Sequence, residues 1–243
     1  MSRVELEPAF VLHTRLYRET SLIVEAFGRD TGRLGLIAKG ARRPKSALRG
    51  SLQSFRPLLL SWSGKGELGL LTGAEPDGFV QPLAGAALFS GLYMNELLMR
   101  LMHRHDPHPE LFHYYRGAVE ALGQGQLTEG VLRIFEKHVL ESIGYGLVLD
   151  RDIASGEPIH GDASYRYEME RGPTSTALAA AADGIALTGD TLLSLANERL
   201  ESERALDEAK QLMRTALRRY LGDKPLATRT LFRPRSQSTG VGG

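Results

Sequence analysis

The chain has 243 residues, 42% hydrophobic and 24% charged, close to the averages of folded globular proteins, so a collagen-like or mostly disordered polypeptide is excluded. No cysteine is present, which removes disulfides, thiolate metal sites and a thiol nucleophile and fits a reducing compartment. The net charge of +1 conceals an asymmetry: residues 1–76 carry +5, residues 77–203 carry −10 and residues 204–243 carry +6.

The first residues are charged where a secretory signal would be apolar, and no stretch approaches the roughly 18 apolar residues needed to span a bilayer. A cytoplasmic protein without membrane attachment is predicted. Short β-branched or aromatic runs at 9–16, 21–27, 33–38, 52–62 and 67–74, separated by polar or glycine-containing turns, predict five strands. Five short strands remove their edges most readily by curling into a barrel, and the OB-fold is the leading candidate. After Pro82 the apolar period changes to three and four. Leu88, Leu92, Met94, Leu97, Leu98, Leu101 and Met102 predict one helix, and Leu111, Tyr114, Tyr115, Ala118 and Leu122 a second. A third starts near Thr128, carries Leu132, Phe135, Val139 and Ile143 on one stripe, and stops at Gly144.

Neither period holds over 151–189, apart from a possible strand at 165–170 and an alanine run at 177–182, so that stretch is expected to be a small irregular subdomain. A short helix from Thr188 or Asp190 to Asn197 follows, then a final helix over 205–221 with Leu206, Ala209, Met213, Ala216, Leu217 and Tyr220 facing inward. Lys210, Arg214 and Arg218 stack at spacing four on its outer face, a possible second basic surface. The expected class is therefore α+β, with an OB barrel in residues 1–80, a helical domain in 81–235 and a frayed tail over 236–243.

The charge bias sharpens in one place. Arg29, Arg33, Lys39, Arg42, Arg43, Lys45, Arg49 and Arg56 face only Asp30, a local excess of +7 over 28 residues. Such a cluster is either a solvated loop or a seat for a polyanion that relieves its self-repulsion. Phe55, Trp62 and Tyr17 lie close by in sequence as rings on which bases could stack, although Phe55 and Trp62 serve equally well as barrel core. Neutralising about five phosphates gives a single-strand salt slope of about −3.5, or roughly a hundredfold loss of affinity between 50 and 200 mM.

Other motifs carry less. Gly64, Gly66 and Gly69 match a dinucleotide fingerprint, but the strand-like Leu70-Leu71-Thr72 follows where a helix must start, so a hairpin turn is expected. The segment from Gly40 to Ser46 partly matches a phosphate-binding loop, yet it lacks the second glycine, and Pro44 has no amide hydrogen to donate. His103, His105, His108 and His113 with Asp106 form the only plausible metal cluster, broken by Pro107 and Pro109. No serine sits in a nucleophile elbow and no carboxylate pair stands out as an acid and base, so no catalytic residues or cofactor are expected.

Seven short motifs occur in order: Phe10-Val11-Leu12-His13-Thr14-Arg15, Glu19-Thr20-Ser21-Leu22-Ile23-Val24, Ile37-Ala38-Lys39-Gly40-Ala41-Arg42-Arg43, Leu92-Tyr93-Met94-Asn95-Glu96-Leu97-Leu98, Ile143-Gly144-Tyr145-Gly146, Ser155-Gly156-Glu157-Pro158, and Lys224-Pro225-Leu226 with Arg229-Thr230-Leu231-Phe232. Together, over residues 9 to about 233, they resemble the RecO family of bacterial recombination mediators. The resemblance implies an N-terminal OB-fold, a helical C-terminal domain and a nucleoid-associated role in DNA repair. It further implies binding and annealing of single-stranded DNA, contact with duplex DNA, and help in loading recombinase onto DNA coated by single-stranded DNA-binding protein. Implied partners are recombination protein R and the acidic, apolar C-terminal tail of the coating protein.

The resemblance places DNA on the barrel and its basic loop, including Lys39, Arg42, Arg43, Lys45 and Arg49, and the charge map adds Arg33 and Arg56. Arg133, beside Leu132, matches a basic position used against the tail, where a guanidinium can grip a terminal carboxylate; on sequence alone it is equally an exposed helix charge. Some members hold zinc through cysteines in the irregular subdomain. Here Asp152 and Ser155 stand in that neighbourhood, so no zinc is expected and packing must hold the segment. Two rival functions remain: an OB-containing RNA or ribosome-assembly factor, distinguished by preference for structured RNA, and a hydrolase using the histidine cluster, distinguished by metal-dependent turnover.

Overall fold

A computed structural model describes residues 3–64, 66–126, 128–177, 184–222 and 224–230. Five strands, β1 (Arg3–Tyr17), β2 (Ser21–Gly28), β3 (Gly32–Ala38), β4 (Pro57–Ser63) and β5 (Leu68–Pro76), close a barrel in the order β1-β2-β3-β5-β4. Only β3 and β5 run parallel, pairing Gly35 with Leu68 and Ile37 with Leu70, the pattern of an OB barrel. β1 is longer than its apolar run because it serves two neighbours: Arg3 pairs with Ser63 of β4, and Tyr17 pairs with Ser21 of β2. β4 begins at Pro57 rather than 52, since Ser54 instead bridges Val11 alongside β1.

The period-2 alternation sends Val24, Ala26, Leu34, Leu36, Leu58, Leu60 and Trp62 into the barrel. The opposite faces of β1 and β2 are apolar too, because Phe10, Leu12 and Phe27 belong to the core of the helices. Those helices are α1 (Gly85–Leu101), α2 (Pro109–Gly123), α3 (Thr128–Ser142), α4 (Gly189–Ala196) and α5 (Glu203–Leu221). Phe10 and Phe27 meet Phe112 and Tyr115 of α2 at ring separations of 5.0 to 6.2 Å, mostly edge-on or tilted. Asn95 of α1 donates to the Leu12 carbonyl at 2.8 Å and accepts from the Tyr115 hydroxyl at 2.6 Å, so the buried amide and phenol satisfy each other and the barrel backbone. α3 stops as expected: Gly144 takes φ +85°, Tyr145 N–H donates to Leu140 and Gly144 N–H to Glu141, a Schellman cap.

The stretch expected to be irregular, 151–189, holds a three-stranded antiparallel sheet of β6 (Ser164–Glu168), β7 (Gly172–Ser175) and β8 (Ile185–Thr188), in the order β7-β6-β8. Strands of four or five residues are too short for alternation to register, which is why only the first left a trace in the sequence. The alanine run at 177–182, beyond Ala177, and the tail at 236–243 lie outside the described residues.

Asp152 pins this sheet. Its Oδ1 accepts from the backbone N–H groups of Ala154 at 2.8 Å and Ser155 at 3.3 Å, while Oδ2 accepts from Ser175 on β7 at 2.8 Å. Burial raises its pKa, but the three backbone donors outweigh burial and hold the carboxyl below the usual carboxylate range. With the folded pKa below the unfolded value of about 3.9, its contribution is present above about pH 4 and disappears as pH falls through the lower folded value. Asp152→Ala should cost about 2 kcal/mol at pH 7 by removing the charged acceptor of three part-buried backbone donors. In urea unfolding the gap between variant and parent should narrow as pH falls below about 4; a pH-independent gap would exclude the ionised staple.

Candidate nucleic-acid interface

Between β3 and β4 the chain makes a series of tight turns: Arg43 N–H donates to Gly40 at 3.0 Å, Ser46 to Arg43 at 3.0 Å, Arg49 to Ser46 at 3.1 Å and Ser51 to Leu48 at 3.3 Å. Ala41 and Leu52 insert into the barrel core, with Leu48 packed against it, so the loop plugs one end of the barrel. The residues between these anchors face solvent, and Lys39, Arg42, Arg43, Lys45, Arg49 and Arg56 are all exposed.

Among the described residues none of these six is ion-paired. Arg42 ties the loop to the turn between β1 and β2: its backbone N–H reaches the Thr20 carbonyl at 2.9 Å and its guanidinium the Glu19 carbonyl at 2.8 Å. Carboxylates of the acidic middle pair elsewhere. Asp77 and Glu120 hold Arg116 at 3.0 and 3.2 Å, and Glu198 receives both Lys137 and His138 at 2.7 Å. The result is a pre-ordered surface of six cations that lack an ion pair among the described residues, which a phosphodiester backbone can neutralise without ordering the loop anew.

Arg33 does not join them. Its guanidinium points into the junction with the helices and donates to the carbonyls of Met99 and Met102, where α1 ends. Burial pushes its pKa down from the ordinary guanidinium value, opposed by Glu25 at 3.7 Å. The sequence showed the charge of Arg33 but could not show that the outer face of β3 is covered. Phe55 and Trp62 are likewise removed as stacking rings. Phe55 packs in the helical core against Gly91, where a Cβ would come within 2.7 Å of its ring, and Trp62 lies inside the barrel.

One functional constraint escaped the sequence altogether. In OB barrels the outer face of β2 and β3 commonly takes the oligonucleotide, but here the helical domain lies on it. Arg104 pairs with Glu25 of β2, His105 N–H donates to the Arg33 carbonyl at 2.9 Å, and a Cβ on Gly32 would lie 2.0 Å from the Asp106 carbonyl oxygen. The end of the barrel closed by the basic loop is left open to a ligand.

On the helical domain, Leu132 and Arg133 face inward, each 8% exposed. Arg133 Nε lies 2.8 Å from Glu136 Oε2, and Tyr93 donates to the same carboxylate, so the expected exposed helix charge is an internal ion pair. Of the outer stripe on α5, Lys210 pairs with Glu129 at 2.8 Å, whereas Arg214 and Arg218 are exposed and unpaired among the described residues. His108 pairs with Asp106 at 3.2 Å, His103 and His113 are exposed, and no group of three or more histidines and carboxylates among the described residues is placed to hold a metal. Gly64 and Gly66 take φ of +122° and +146° in the turn joining β4 to β5, the expected hairpin.

Residues 1–78 match the family model for the recombination protein O N terminal, and residues 83–230 that for the recombination protein O C terminal. A DNA repair protein RecO of Alkalilimnicola ehrlichii is 50% identical over 232 residues, covering 95% of this chain and 92% of its own. Those of Nitrosospira multiformis and an Azoarcus species are each 47% identical, covering 95% of this chain and 96% of theirs.

Proposed function

Because the chain belongs to the recombination protein O family of DNA repair and recombination proteins, we propose that it works by binding single-stranded DNA, annealing complementary strands and helping to load recombinase onto coated DNA. The observation that carries this reading is the set of six exposed cations, unpaired among the described residues, on the plugged end of the barrel. Two complementary strands repel through their phosphates, and a surface that screens one of them lowers the barrier to pairing. Arg214 and Arg218 on α5 supply a second, smaller basic surface for another strand or a duplex.

The helical domain is the proposed dock for recombination protein R and for the coating protein's tail. An incoming terminal carboxylate would reach Arg133 only by replacing Glu136, an exchange that preserves the pair's charge balance. Annealing of labelled complementary strands, with and without the coating protein, tests the reading. With six cations engaged, the expected salt slope of single-strand binding is about −4. Acceleration with naked and coated strands is the expected result; salt-insensitive binding, or preference for structured RNA over single-stranded DNA at equal salt, would overturn it.

A further inference from the structure

Among the described residues five large apolar side chains are exposed: Leu6, Leu16, Phe79, Tyr114 and Tyr145. A lone exposed apolar residue needs no explanation, but their electrostatic surroundings differ. Tyr145 stacks on Tyr220, next to the Arg219–Glu170 pair. Tyr114 lies close enough to Glu110, Glu141 and Glu198 that, after burial, their charges raise its pKa. Phe79 follows Asp77, which holds Arg116, and Leu6 follows Glu5, which holds Arg3.

Leu16, at 70% exposure, is the exception. It stands at the end of β1 opposite Leu22, with Tyr17 opposite Ser21. Arg15 and Arg18 flank it, both exposed and without an ion pair among the described residues, and the Arg18 guanidinium sits 5.2 Å from the centre of the Tyr17 ring. The turn that follows is the one Arg42 grips through the Glu19 and Thr20 carbonyls. An exposed Leu16 therefore stands beside the cationic loop with the half-buried Tyr17 ring next to it, and Glu19 is the one acid in the turn.

We propose that Leu16, Tyr17 and Arg18 form a base-contacting platform for unpaired nucleobases, beside the phosphate-binding loop. This deepens the reading under Proposed function and rests on it. Phosphates held by Arg42 and its neighbours bring the bases of a flexible single strand against the tip, where ring and guanidinium planes offer stacking surfaces to any base. A duplex keeps its bases stacked inward and presents only phosphates to the same surface. The platform thus gives the site a preference for single strands that charge alone cannot supply.

The test uses the full chain and three labelled probes at one salt concentration: oligo-dT, a duplex of equal length, and an abasic strand that keeps the phosphates. The parent should bind oligo-dT about tenfold more tightly than the abasic strand. The double variant Leu16→Ser/Tyr17→Ser should lose that discrimination while duplex affinity and salt slope stay unchanged, and Tyr17→Phe should retain it. Leu16→Ser alone, at a largely exposed position, should give part of the loss with little effect on folding. Equal binding of oligo-dT and abasic strand by the parent, with a steep salt slope, overturns the platform but leaves the cationic loop standing. A parent with a flat salt slope overturns both.

Discussion

Replacing Arg42, Arg43 and Lys45 together by alanine should weaken single-strand binding about a hundredfold at 0.1 M salt and flatten its salt slope by about 2, since each single-strand phosphate contact contributes roughly 0.7 to that slope. None of the three is ion-paired within the described residues, so the fold should be nearly untouched; the side-chain hydrogen bond at stake among them is that of Arg42 to the Glu19 carbonyl. Arg33→Ala is the informative contrast. It also removes one positive charge, but from the junction, where its loss leaves the Met99 and Met102 carbonyls without their donor. That variant should lose about 1 to 3 kcal/mol of stability and keep the parent's salt slope. Titrations of labelled oligo-dT from about 50 to 200 mM salt read the slope directly. If the triple variant keeps the parent's slope, phosphates do not sit on the loop.

Arg133→Glu should be the most damaging single charge change in the helical domain, costing about 3 to 5 kcal/mol, because it sets a second carboxylate against the buried Glu136. For a chain of this size that corresponds to a fall in Tm of roughly 10 °C, measurable by scanning calorimetry. The double variant Arg133→Leu/Glu136→Leu should recover most of the loss, since replacing both partners removes the uncompensated charge. A partner-binding defect measured with Arg133→Glu alone therefore cannot be assigned to the tail; the double variant can, because it stays folded while lacking the guanidinium. Arg133→Glu retaining the parent's Tm would show that the pair is not the buried unit seen here.

The two elements that were hardest to foresee share a cause. The β6-β7-β8 sheet is built from segments of four and five residues, one beginning Gly172-Pro173, and it is held by long-range pairing and by the Asp152 carboxylate rather than by any local period. Phe112 and Val119 of α2 are packed inside although neither belongs to the apolar spacing of that helix, whereas Tyr114, which does, is exposed. A helical stripe about half the circumference wide has an edge, and which residues fall on its inner side depends on where the neighbouring helices and barrel lie.

What the amino-acid sequence determined by itself is the run of five barrel strands and five helices, the lack of cysteine ligands and the concentration of positive charge between Arg29 and Arg56. These are local or additive properties: alternation of apolar residues follows backbone geometry, and charge accumulates along the chain whatever its path. Which charges can meet a ligand was decided only by the tertiary structure. Arg33 and Arg43 are ten positions apart and chemically identical, yet one is committed to the carbonyls that end α1 and the other is free on the barrel plug. The difference arises from the packing of the helical domain onto the outer faces of β1, β2 and β3, a contact between residues some 70 positions apart that a local pattern cannot encode.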